Sequence, residues 1–224
     1  MHVVVVGAGI AGMTAAIALC QKGVEVTVLE QAPALKEIGA GIQLAANGSL
    51  VLRKLGLEDA VAQRCVVPQS WEMRDISDGK LLYMSPLGDA GTKRWGAPLY
   101  NIHRADLIDI LAKALPQGVL RLGAQCLRFE QDADGVTIEL TSGERLRCDA
   151  LIGADGIHSV VREQLRGKEQ TQVLDLADES TSPALLQARL SPYSCFSQPP
   201  AALLRRKQAP MSVAGNEGNH EIIS

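Results

Sequence analysis

Basic residues are not in excess in this sequence: 22 Lys and Arg stand against 25 Asp and Glu, giving a net charge of −3 and a pI near 5.8. No basic stretch is interleaved with aromatics, so both the field and the stacking platform that nucleic acid requires are missing. Cysteine is sparse. Its five positions, 20, 65, 126, 148 and 195, show no C-x-x-C spacing. That pattern suggests neither a metal site nor a disulfide framework, and it fits a reducing cytoplasm. The long uncharged stretch from Val3 to Cys20 lacks the marks of a signal peptide or membrane span. No Lys or Arg precedes it, Gly7, Gly9 and Gly12 interrupt it, and an alternating strand pattern follows at once. It reads as a buried strand and helix of a soluble protein. With 224 residues, 46% of them hydrophobic, one large domain with an appendage is expected.

What is present is concentrated at the start, in VVVVGAGIAGMTAAIALCQKGVEVTVLE. Four valines end at Gly7, and Gly7, Gly9 and Gly12 fit G-x-G-x-x-G where a strand turns into a helix, the phosphate-binding entry of a dinucleotide fold. Gly7 permits the tight turn, Gly9 lacks the Cβ that would keep a pyrophosphate off the backbone, and Gly12 lets the helix lie close to its strand. The helix, expected over Ile10 to Lys22 and stopped by Gly23, aims its positive dipole end at the anion. Val24, Val26 and Val28 alternate with Glu25 and Thr27 as a second strand, closed by Glu30. An acid there suits a ribose diol and repels a 2′-phosphate, which favours FAD or NAD over NADP.

Farther on, Pro33, Gly39 and Gly41 predict a loop, and Asn47 a cap for a short helix carrying Leu50, Leu52 and Leu55 up to Gly56. WEMRDISDGKLLYMSP predicts a hairpin with a two-residue type I′ turn at Asp78-Gly79, followed by a mobile loop at GDAGTKRWG. Leu107, Ile108, Leu111 and Leu115 mark one face of a helix that starts near Arg104 and stops at Pro116 and Gly118. His103 reads as structural. Residues 119 to 148 predict three short strands turned at Asp134-Gly135 and Ser142-Gly143. In DALIGADGIHSVVREQL, a short apolar strand reaches the loop Gly153 to Gly156, and Ser159 caps the next helix. Asp155-Gly156 therefore lies at a strand's carboxyl end, where doubly wound sheets place ligands.

GAGIAGMTAAIAL, VTVLEQAP, EIGAGIQLAANG and the Asp155-Gly156 stretch together resemble the FAD-dependent aromatic-ring hydroxylases, the single-component flavoprotein monooxygenases that include salicylate and hydroxybenzoate hydroxylases. The resemblance implies an α/β Rossmann-like FAD-binding fold over residues 1–167, with a β-meander and, at 66–100, the inserted start of a substrate-side β-sheet. It implies FAD as cofactor, held by Gly7, Gly9, Ile10, Ala11, Gly12, Glu30 and Gln31, with Gly41 and Gln43 near the ribityl and flavin portion. Arg104 would reach phosphate or flavin oxygens. Leu127 would lie near the adenine through its backbone, and Asp155 and Gly156 would serve the flavin and the nicotinamide approach. NAD(P)H would act as a transient electron donor, in keeping with the lack of a second G-x-G-x-x-G. A small aromatic substrate and O2 would complete the reaction, with the cofactor supplying the hard chemistry and the protein excluding water. No catalytic base is identified; His158 reads as a capping or surface residue.

The resemblance stops near residue 167. The last 57 residues hold five of the ten prolines and two of the 21 glycines, without sustained periodicity, so residues 168–224 are expected to form an irregular tail. The family's second flavin motif, G-D-A-A-H followed by proline, does not occur; Gly88-Asp89-Ala90 lies too early and lacks the His and Pro. A truncated or frame-shifted copy of such a hydroxylase is the expectation this raises. Two other readings stay open: a different FAD-linked oxidoreductase on the same fold, and a non-catalytic nucleotide-binding fragment.

Overall fold

A computed structural model describes residues 1–35 and 40–167, and the backbone of a strand at 202–205. The four-valine run becomes β1, His2–Val6, at the centre of a five-stranded sheet. It is followed by α1, Ile10–Cys20, and by β2, Glu25–Glu30, parallel to β1 with Val3 opposite Val26 and Val5 opposite Val28. Because strand side chains alternate between faces, Val3 and Val5 enter one core and Val4 and Val6 another. A parallel strand covered on both faces needs an unbroken apolar run, which is what β1 carries. Burying each valine contributes on the order of 1.5–3 kcal/mol.

The first core is completed by Met13, Ala16 and Ile17 of α1 and by Leu107, Ile108 and Leu111 of a later helix. Between them the chain forms β3, Gly41–Leu44; α2, Ala46–Lys54; α3, Glu58–Ala62; and β4, Cys65–Val66. A hairpin follows, β5, Ser70–Arg74, with β6, Leu81–Pro86, then α4, Gly88–Trp95; β7, Tyr100–His103; and α5, Arg104–Ala114. Strands β3, β7 and β4 make a small antiparallel sheet. The hairpin is a separate two-stranded sheet whose Trp71, Met73, Leu82, Tyr83 and Met84 are exposed.

The chain then returns to the main sheet through β8, Leu120–Leu122, parallel to β2. The meander β9, Cys126–Asp132, β10, Gly135–Leu140, and β11, Arg145–Cys148, covers the second face. Its Phe129, Val136 and Ile138 pack on Val4, Val6 and Leu29. β12, Ala150–Gly153, pairs parallel with β1, and α6, Val160–Arg166, follows it. At the outer edge β13, Ala202–Arg205, pairs antiparallel with β12.

Several expectations change. Residues 88–95 are helical rather than a loop: Thr92 Oγ1 donates to the Gly88 carbonyl at 2.9 Å, and Gly96, at φ +77°, ends the helix. The hairpin turn is wider than two residues, because the Gly79 N–H returns to the Asp75 carbonyl at 2.9 Å and Asp75 N–H to that of Lys80 at 2.8 Å. Ala45, not Asn47, is the N-cap of α2; Asn47 sits inside the helix and accepts from the Gly48 N–H. The expected irregular tail contributes the strand β13, while the rest of 168–224 lies outside the described residues, as do 36–39 of the predicted glycine loop.

Candidate cofactor site

The carboxyl ends of β1, β2 and β12 open into one cleft of about 480 Å³, within the range of small-molecule sites. Its floor is the glycine loop. Gly7, at φ +102°, donates to the Leu29 carbonyl at 2.7 Å. A Cβ on Gly7 would stand 2.3 Å from the Ala154 carbonyl oxygen, so glycine here lets the β12 loop close against the β1 loop. A Cβ on Gly12 would meet the Gly7 carbonyl oxygen at 1.9 Å, which is the close helix-to-strand approach the motif predicts. Gly9 differs from both: it lines the cleft, and a Cβ there would meet nothing within 4 Å. Packing within the protein therefore sets no demand for glycine at 9.

Gly9 is also the N-cap of α1. It supplies no side-chain cap, and the first turn has no acid. The positive dipole end of this 11-residue helix, at the Gly9 side of the cleft, is therefore not capped by any side chain of α1 itself. This arrangement fits a pyrophosphate.

The side walls are held by two carboxylates. Glu30 Oε2 accepts from the Ala8 N–H at 2.8 Å and Oε1 from the Ala32 N–H at 2.9 Å, so the acid ties the glycine loop to the end of β2. Each oxygen keeps a further lone pair for a ribose hydroxyl. Across the cleft, Ser159 Oγ donates to Asp155 Oδ1 at 2.5 Å, and the Val161 N–H donates to Oδ2 at 3.2 Å. Ser159 Oγ accepts in turn from the Arg162 N–H at 2.9 Å, capping α6 as predicted. Asp155 thus fixes the geometry of the loop, whose residues 154–158 line the cleft. Arg162 reinforces it by donating to the carbonyls of Gly156 and Ile157 at 3.3 and 2.5 Å.

Among the predicted site residues, Gly7, Gly9, Glu30, Gln31, Arg104, Asp155 and Gly156 line this one cleft. Arg104 arrives because α5 begins directly after β7, and its N–H donates to the Ala40 carbonyl at 3.2 Å. The other predicted residues are not among those that line it. Ile10, Ala11 and Gly12 form the first turn of α1, directly after Gly9, and Leu127, expected near the adenine through its backbone, follows the lining residue Cys126 on β9 with its side chain exposed. Gly41 and Gln43 lie on β3, where Gly41 is opposite His103 and Gln43 Nε2 donates to Asn101 Oδ1 at 3.4 Å. Sequence reasoning missed Ala32, Ala34, Leu35, Ala124, Gln125 and Cys126, and undervalued His158, all of which line the cleft. No motif marks them; only the position of Cys126, one residue before Leu127, hinted at this wall. Burial pushes the Cys126 thiol up to about 11, with the charge of Asp155 adding to the shift.

A parallel sheet whose central strand meets a glycine loop, with two acids flanking one cleft at the strands' carboxyl ends, defines a dinucleotide-binding protein. The chain matches the family described as FAD binding domain over residues 1–200, and it belongs to that family. It is 45% identical over 165 residues to 3-amino-4-hydroxybenzoate 2-monooxygenase of Streptomyces cremeus, a match covering 74% of this chain and 42% of that protein. It is 38% identical over 168 residues to 6-hydroxynicotinate 3-monooxygenase of Pseudomonas fluorescens, covering 75% and 44%. Among solved structures, Klebsiella pneumoniae HpxO complexed with FAD and uric acid superposes with a TM-score of 0.67 at 32% identity, covering 73% of this chain and 41% of that one. The chain therefore spans less than half the length of the relatives it matches. Among the described residues no helix is long and apolar enough to cross a membrane, and no group of His, Cys, Asp and Glu could hold a metal ion.

Proposed function

We propose that this chain is the FAD-binding portion of a monooxygenase that hydroxylates a small phenolic or hydroxypyridine-type aromatic acid with NAD(P)H and O2. The observation that carries the reading is Gly9: the fold leaves room for a side chain at the mouth of the cleft, and the residue present has none. The names of the relatives, which act on aminohydroxybenzoate and hydroxynicotinate, support the substrate class.

In this reading residues 1–167 form the cofactor unit, and 66–100 begin a substrate-side sheet. Gly7, Gly9 and the N-terminus of α1 receive the pyrophosphate. Glu30 holds the loop through Ala8 and accepts from the adenosine ribose, with Gln31 beside it. Arg104 offers a guanidinium to phosphate or flavin oxygens, and the backbone at Asp155 and Gly156 borders the flavin end. FAD, when bound, supplies acceptance of hydride and activation of O2. The protein's part is to bind, to orient and to exclude water from that end of the cleft. The four free cysteines of the described residues suit a reducing cytoplasm.

Titrating the purified chain with FAD tests the reading. Saturable binding with an altered flavin absorbance, and NAD(P)H oxidation stimulated by phenolic acids, is the expected result. Binding of FAD without stimulation by any aromatic acid would favour another FAD-linked oxidoreductase, and no binding of FAD at all would overturn the assignment.

A further inference from the structure

The two walls of the cleft, the Asp155 loop leading into α6 and the start of the meander at Cys126, come from different layers of the fold. They are joined by one side chain. Gln164 of α6 presents its amide to the backbone of Phe129 on β9: Oε1 accepts from the Phe129 N–H at 3.1 Å, and Nε2 donates to the Phe129 carbonyl.

β9 is the edge strand of the meander, in the order β11, β10, β9. An edge strand leaves alternate N–H and C=O groups without a ladder partner. Gln164 satisfies both such groups of one residue, standing where a further strand would pair. The Phe129 side chain, 5% exposed, belongs to the same core cluster as Val161, one turn before Gln164 on α6, so the amide clamp and the apolar cluster link the same helix to the same strand position. Three residues before Phe129, Cys126 faces the cleft; four residues before Gln164, so does Val160. The clamp is therefore one turn of helix and three strand residues away from the two surfaces it connects.

We propose that Gln164 is a positioning residue that sets the separation of the meander wall from the Asp155 loop, and hence the affinity of the cleft for FAD. The proposal rests on the cofactor reading above. An amide, like a protonated carboxyl, donates to the carbonyl through one terminal atom and accepts from the N–H through the other. A carboxylate keeps the acceptor and repels the Phe129 carbonyl oxygen; an aliphatic side chain of similar size does neither.

The test uses the full chain, with Gln164→Leu, Gln164→Glu and, as a stability control at a buried position that does not line the cleft, Ile110→Val in α5. FAD affinity is measured by flavin fluorescence from pH 8 down to pH 4, and exchange of the Phe129 N–H by hydrogen exchange. We expect Gln164→Leu to weaken FAD binding about tenfold at every pH, while Ile110→Val keeps wild-type affinity. Gln164→Glu should match the leucine variant at pH 8 and move toward wild type only as pH falls to about 4, where a glutamate carboxyl regains its proton. Wild-type affinity of both Gln164 variants at all pH values would overturn the proposal. If the wild-type chain binds no FAD, the cofactor reading fails, and the clamp is then decided by exchange alone. Faster Phe129 exchange in Gln164→Leu supports it, and unchanged exchange overturns it.

Discussion

Gly9 and Gly12 carry the same letter of one motif for opposite reasons. Gly12 answers to the protein, because a methyl group there would collide with the Gly7 carbonyl oxygen, a backbone atom that cannot swing away. Gly9 makes no such demand on the fold, because its extended φ of −72° and open surroundings accept any small side chain; its proposed role is toward the cofactor. Gly12→Ala should therefore destabilise the fold by ~3 kcal/mol or more, beyond ordinary overpacking. Gly9→Ala should change stability by less than about 0.5 kcal/mol and reduce FAD affinity at least tenfold. Thermal unfolding and flavin titration of the two variants separate these outcomes. Equal loss of stability in both would contradict the assignment of Gly9 to the cofactor.

Among elements, α6 is the one whose placement depends most on side-chain hydrogen bonds. Ser159 caps it, Asp155 bonds to that cap and to Val161, and Gly153 lets it approach so closely that a Cβ there would be 2.7 Å from Val161 Cγ1. Ser159→Ala is expected to cost about 1 kcal/mol, the usual loss for an N-cap, and to weaken FAD binding by releasing the Asp155 loop. Urea unfolding with and without saturating FAD would measure both; a variant that loses neither stability nor affinity would remove the loop from the site.

The sequence revealed the elements unevenly, for physical reasons. The unit from β1 to β2 was legible because period, glycine spacing and terminal acid all agree. α4 was not, since Gly88 and Gly91 make GDAGTKRW poor in helix propensity. In the helix Trp95 folds back over Gly91, one turn earlier, where a Cβ would lie 2.8 Å from the ring, so the glycine that lowers the propensity also makes room for an i,i+4 contact. The cleft residues 124–126 and His158 are brought together by the meander and the β12 loop, and their letters carry no motif. The placement of the Leu127 backbone near the site came from resemblance rather than from pattern; its neighbour Cys126 lines the cleft.

At the scale of the whole molecule, one sheet is covered on both faces, and two of the buried groups that the meander contributes can titrate. The thiols of Cys126 and Cys148 are both pushed up to about 11, chiefly by burial, from an ordinary 9.0. The folded chain holds those protons over a range where the unfolded chain releases them. Their contribution to stability is thus fully present below pH 9 and is lost as pH rises toward 11. The urea midpoint should fall across this window, and more gently in a Cys126→Ala, Cys148→Ala double variant. An equally steep fall in that variant would assign the alkaline transition to other groups.

The hairpin gives the molecule an unusual optical character. Its two tryptophans, Trp71 in the hairpin and Trp95 in α4, are 50% and 40% exposed, and Trp71 leans edge-on against Tyr83 at 5.8 Å rather than into a core. Native indole emission therefore arises from a solvated setting and is open to quenching by iodide. It serves as a gauge of whatever comes to lie over this ribbon, while the state of the central sheet is better followed by far-ultraviolet dichroism.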